Sequence, residues 1–234
     1  MKHWLSLLGR AEALHHSIAC AGQDSKDLSA ASLRALLRSY IPSCTLWPFV
    51  DRASQVYNAT VLMEVCRARG VTEARLTECA EVLLCEFGAD PNGRSSASGC
   101  TPLIIAAARG MPKLVALLLA CGADARPRGE GRFRLCGRSS SVAGCHDALA
   151  WTSVLLDAEA EVGVPERHRR DLRIVQRMLE IAAAQDDGAY PPATEDDGID
   201  SPAALSAALP AARATLRAQA LERVRCARAR LKAT

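Results

Sequence analysis

Apolar residues along this chain recur at helical spacing. Leu114, Val115, Leu117 and Leu118 fall on one side of a helix, as do Ile174, Val175, Met178 and Leu179 within 172–183. Leu103, Ile104, Ala106 and Ala107 give a shorter helix two faces of contact, with alanine where a neighbour must approach closely. Strict alternation of β-branched residues is nearly missing, which argues against sheets. The punctuation agrees with the helices. Thr101 can cap a helix through its side-chain oxygen, and Pro102 suits the first helical position, where its missing N–H costs nothing. Gly110 ends that helix, Pro112 opens the next, and Gly122 ends it in the left-handed conformation before Ala123 and Asp124 enter a turn. Further helices are expected over 4–21 and 28–40. A first helix over 147–153 and a second over 172–183 would flank a long insertion at 155–170. Ser201 and Pro202 repeat the cap-then-proline pattern, with a partner helix over 211–231.

The helix pair at 101–124 has a second copy upstream. Thr60, Val61 and Leu62 parallel Thr101, Pro102 and Leu103; Val65 and Cys66 parallel Ala106 and Ala107. Leu83, Leu84, Gly88, Ala89 and Asp90 parallel Leu117, Leu118, Gly122, Ala123 and Asp124. The glycines lie 34 residues apart and the threonines 41, so the first copy carries extra residues. Residues 70–77, in the turn between helices, are the expected place for them, because loop entropy grows slowly with length. The region 145–185 gives a fainter third copy.

This unit resembles the ankyrin repeat. The pattern T-P-L-H-x-A-A, then G, then L-L, then G-A-D is matched by Thr101, Pro102, Leu103, Ala106, Ala107, Gly110, Leu117, Leu118, Gly122, Ala123 and Asp124. The spacing of the glycines is close to the family period of about 33 residues. The family's histidine is replaced by Met63, Ile104 and Ala150, which removes a hydrogen bond between neighbouring loops and leaves apolar packing to offset it. Ile104→His is expected to leave the protein folded. The resemblance implies an all-α fold: an ankyrin-type helical solenoid of stacked helix–turn–helix pairs with long loop insertions. The expected divisions are a helical cap or degenerate repeat at 1–55, a repeat with an insertion at 56–99, and a repeat with a basic loop at 100–144. A divergent repeat with an insertion at 145–190 and an acidic linker with a capping helix pair at 191–234 complete them.

Composition fits closely packed helices. Apolar residues make up 49% and aromatics only 4%, so Ala and Leu supply most of the apolar content. Net charge is +3, too small by itself to imply a polyanionic partner. Acidic residues cluster at Asp186, Asp187, Glu195, Asp196, Asp197 and Asp200, and basic ones at 126–138 and 213–232. No apolar stretch reaches the roughly 20 residues that cross a bilayer, and the N-terminus is not a signal peptide, so a cytoplasmic or nuclear location is expected. The ten cysteines include no C-x-x-C pair; Cys66, Cys85 and Cys121 lie in helical patterns and read as reduced, structural thiols.

A repeat array presents an extended face suited to protein recognition rather than to chemistry. The resemblance implies that a partner meets the loop tips and the exposed positions of the first helices. Those are Arg94, Ser95 and Ser96 at a loop tip, Glu64, Arg67 and Ala68 on one helix, and Ile105, Ala108 and Arg109 on the next. The segment 126–140 adds Arg126, Arg128, Arg132, Phe133 and Arg134, read as a basic loop able to grip carboxylates or phosphates. The expected function is therefore a non-enzymatic protein–protein interaction module, acting as a monomer without a cofactor. One alternative is binding of nucleic acid or an acidic surface through the arginine-rich loop and C-terminal helix. Another is a substrate-recognition subunit of a larger assembly, with 1–55 as the docking part. Cys136, Cys145, His146 and His168 lack the spacing of a zinc site. Cys145 and His146 are adjacent, which rarely brings a nucleophile and its base to one point. No phosphate-binding glycine loop or nucleophile elbow occurs.

Overall fold

The computed structural model describes residues 12–13, 15–18, 28–40, 50–51, 53–54, 56, 58–135, 140–162 and 165–186. The expected C-terminal helix pair, the acidic tract beyond Asp186, and most of segment 1–55 lie outside them.

Seven helices and one hairpin are labelled here among the described residues. They run α1 (Ala30–Tyr40), α2 (Val61–Arg67), α3 (Glu73–Glu81), α4 (Pro102–Ala108), α5 (Pro112–Ala120), β1 (Gly129–Arg134), β2 (Ser141–His146), α6 (Ala148–Val162) and α7 (Glu166–Asp186). A π-helical segment, Val82–Glu86, prolongs α3. The helices pair as α2 with α3, α4 with α5 and α6 with α7. The first members touch in the order α2, α4, α6, and the second members in the order α3, α5, α7, with α1 against α3. Leu62, Met63, Leu103, Ile104 and Trp151 are buried in the first row, and Leu76, Leu83, Leu114, Leu118, Val175 and Leu179 in the second.

The helix boundaries follow their local chemistry. Thr60 Oγ1 accepts from Met63 N at 3.4 Å, and Thr101 Oγ1 from Ile104 N at 3.3 Å. Asp147 takes this role before α6, its Oδ1 accepting from Ala150 N at 2.8 Å. Gly110 has φ 61°, and a Cβ there would also meet the His168 ring at 3.0 Å, so only glycine suits both backbone and neighbour. Helix α5 has no cap of its own. Glu73, at the start of α3, supplies one: its Oε1 accepts from Lys113 N at 2.6 Å.

Three expectations are corrected. The fold is mainly helical but not all-α, because Gly129–Arg134 and Ser141–His146 pair as antiparallel strands where a basic loop was expected over 126–140. The extra residues of the first copy are not mainly in the turn. Five residues separate α2 from α3 and three separate α4 from α5, while the second helix runs to Glu86 in one copy and spans only Pro112–Ala120 in the other. Most of the insertion is thus wound into the longer helix and its π-helical end. Likewise 155–170 is not a long loop: it lengthens α6 and α7, apart from a short connection.

Candidate functional site: the hairpin and the loop beneath it

The hairpin forms because its residues alternate. In β1, Gly129, Gly131 and Phe133 turn inward while Glu130, Arg132 and Arg134 are exposed; in β2, Val142, Gly144 and His146 turn inward. Gly131 pairs with Gly144, and Phe133 with Val142. The glycines leave bare backbone that rings cover. A Cβ on Gly131 would lie 2.8 Å from the Phe133 ring, and one on Gly144 2.5 Å from His146. Both rings meet buried Trp151 of α6 edge to face, with centroids 4.8 and 4.9 Å away.

The hairpin is tied to the loop before α4. Glu130 N donates to Ser98 O at 2.7 Å, and Cys100 Sγ donates to Glu130 O at 3.1 Å. Gly129 sits against the main chain of Cys100, where a Cβ would lie 2.6 Å from Cα. Trp151 Nε1 donates to Gly129 O at 3.3 Å. Arg94 Nη2 donates to Arg128 O at 3.0 Å, and Arg128 Nη2 to Cys145 O at 2.8 Å. Loop and hairpin therefore form one connected ridge.

The ridge gathers several expected residues. Arg94, Ser96, Arg126, Arg128, Arg132 and Arg134 are all exposed on it, and Phe133 is half-buried beneath. Ser96 Oγ bonds to Asn58 Oδ1 at 3.0 Å. Arg126 pairs with Asp124 at 3.0 Å, which together with the main-chain N–H of Arg126 holds the Asp124 carboxyl below its usual range. Arg132 and Arg134 form no ion pair among the described residues.

Other expected positions are buried or only partly exposed. Ile105 and Ala108 are buried, because α4 is touched by α2, α5, α6 and α7 together. Ser95 is buried within its own turn, its hydroxyl accepting from Ser98 N at 3.2 Å. Ala68 is buried, and so is Glu64, which pairs with half-exposed Arg67 at 3.4 Å. Burial raises the Glu64 pKa despite that partner. Arg109 donates from Nη1 to Cys66 O, satisfying a carbonyl at the end of α2, and burial lowers its pKa. That bond joins neighbouring helices.

The period-two pattern of 129–134 and 141–146 is the signal that would have shown the hairpin. Its inner face is glycine-rich and therefore carries little hydrophobicity. Burial pushes the Cys66 thiol up to about 12 and the Cys79 thiol up to about 11, which makes both poor nucleophiles. His168 pairs with buried Glu159 at 3.3 Å between α6 and α7, while His146 packs on Trp151. Cys136 lies outside the described residues.

Residues 98–128 match the family model of the ankyrin repeat, so the chain carries an ankyrin repeat over α4 and α5, from the ridge loop to the start of the hairpin. Neither a curated protein nor a solved structure matches the chain. Ankyrin repeats are in general protein–protein interaction modules. No helix among the described residues is long and apolar enough to cross a membrane.

Proposed function

We propose that this chain is a non-enzymatic protein-recognition module, a short ankyrin-type solenoid whose partner meets the ridge of residues 92–100, 129–134 and 141–146. The observation that carries this reading is the fixed hairpin. Five main-chain and side-chain bonds hold it to the loop and to Trp151, so its exposed arginines are displayed on an ordered surface rather than on a free loop. Pre-ordering lowers the entropy lost on binding. The stacking order of the helix pairs supports an array of three repeats, at 56–99, 100–144 and 145–190. Segments 1–55 and 191–234 would cap it. The module would act as a monomer in the cytoplasm or nucleus.

The site shifts from the first-helix surface to the ridge. Glu64, Ser95, Ile105 and Arg109 serve the interior or its joints, while Arg94, Ser96, Arg128, Arg132 and Arg134 remain as contacts. Engagement of Phe133 by Trp151 and Gly131 favours a protein partner over nucleic acid, which would draw on a free aromatic face.

Photo-crosslinking of the full chain in cells tests the reading. A crosslinkable residue at position 96 or 143 should capture a discrete protein, and one at exposed Arg75 of α3 should not. Capture at position 75 alone, or recovery of nucleic acid alone, would overturn it.

A further inference from the structure

The outer edge of β1 has a consequence for what the ridge binds. In an antiparallel pair, successive residues turn their main-chain groups alternately toward the partner strand and away from it. Glu130 N donates to Ser98 O, and Glu130 O accepts from Cys100 Sγ, both away from β2. Leu135 N donates to Ser140 O, toward the β2 side. The N–H and C=O groups of Arg132 and Arg134 therefore lie on the same outer edge as those of Glu130. Among the described residues, no element beyond the hairpin bonds to them. Among the described residues, the ridge loop closes this edge at Glu130 and nothing closes it beyond.

We propose that the open edge of β1 at Arg132 and Arg134 receives an extended acidic segment of a partner protein as an added strand, with carboxylates at alternate positions opposite the two arginines. This rests on the protein-recognition reading above and names its partner chemistry. Residues opposite each other in a hydrogen-bonded pair project side chains to the same face. The exposed face of β1 carries Arg132 and Arg134, and their β2 neighbours Ala143 and Ser141 are too small to cover them. The two arginines stand one strand repeat apart, about 7 Å, which is also the spacing of alternate side chains in an incoming strand. Carboxylates there would receive charge-assisted bonds from guanidinium groups that have no acidic partner among the described residues. The residue between them falls beside Phe133 on the inner face and should be apolar. Charged residues on an edge strand commonly discourage strand pairing. Two arginines discourage neutral or basic strands and leave an acidic one favoured. Arg94 extends the positive charge along the loop end of the ridge, with Glu130 the one acid on that face of β1.

A short peptide alternating glutamate and valine is the probe, titrated into the full chain while amide hydrogen exchange is followed. Binding should slow exchange at the Arg132 and Arg134 amides. Methylating the peptide's amides at alternate positions should abolish binding with its charge intact, and this arm needs no variant to fold. Arg132→Glu with Arg134→Glu should weaken binding about 100-fold, as expected when like charges oppose, while Arg75→Glu leaves it unchanged. Equal binding of the methylated peptide, amides already protected in the free chain, or tighter binding of a homopolymeric RNA would each overturn strand addition. If the peptide fails while crosslinks at positions 96 and 143 still capture a protein, strand addition falls and the recognition reading stands.

Discussion

Ile104 and Met63 stand where the repeat pattern carries histidine, and both are buried in the row of first helices. Ile104 packs in α4 behind Thr101, whose hydroxyl already accepts from the Ile104 main-chain N–H. A histidine there would bury an imidazole that must find new partners, at a cost of about 1–3 kcal/mol. Ile104→His should therefore retain a cooperative fold with a melting temperature lowered by several degrees, read by thermal melts. Complete unfolding would mean that position 104 does not correspond to the family's histidine. Glu64 gives a second test. Burial raises its folded-state pKa above the ordinary carboxylate value. The folded state thus prefers the protonated form, and ionisation weakens folding as pH rises through that window. Glu64→Gln should raise the melting temperature relative to the parent near neutral pH. The gain should shrink as pH falls below the ordinary carboxylate pKa of about 4.3, where the parent's carboxyl becomes protonated in both states.

At the scale of elements, the hairpin depends on one close approach. Gly129→Ala would place a methyl group 2.6 Å from Cys100 Cα, against main chain that has no rotamer to change. The strand must move outward, at a cost of about 1–3 kcal/mol. Faster hydrogen exchange at the Glu130 amide, with the α5 core unchanged, is the expected outcome; unchanged exchange at Glu130 would show that the strand is not seated on Cys100. The same element shows where sequence reading succeeds and where it stops. Thr101, Pro102, Gly110 and Gly122 were legible because each answers a constraint of its own backbone, and α4 and α5 fall where they predict. The hairpin was hidden because Gly129, Gly131 and Gly144 are covered by other residues' rings and backbone, not by apolar side chains of their own. The burial of Ile105 and Ser95 is hidden from the sequence for a related reason. Whether a short helix or turn reaches the surface depends on how many neighbours close around it, and no local pattern encodes that number. The charge of the ridge arginines is legible in the sequence, but the strand that spaces them is not.

Across the whole molecule, the joints between copies carry information that neither copy holds alone. Glu73 caps its neighbour's α5, Arg109 satisfies the end of α2, and Asn92 bridges the turns. Asn92 Nδ2 donates to Gly122 O at 3.1 Å and its Oδ1 accepts from Asp124 N at 2.7 Å. Asp90 and Asp124, the matching acids of the two copies, each close a local turn on the residue two positions on, so Asn92 joins two equivalent corners. Repeat stability is the sum of unit terms and interface terms, and cooperativity resides in the interfaces. Asn92→Ala removes both bonds while leaving each turn's own aspartate in place. It should cost about 1–2 kcal/mol. Because the loss falls on a joint, the urea transition should also broaden, with a lower apparent slope as the copies begin to melt separately. A lower midpoint with an unchanged slope would place the cooperativity in the packed helix rows alone, and would make the turn ladder a local ornament of the ridge rather than a coupling between repeats.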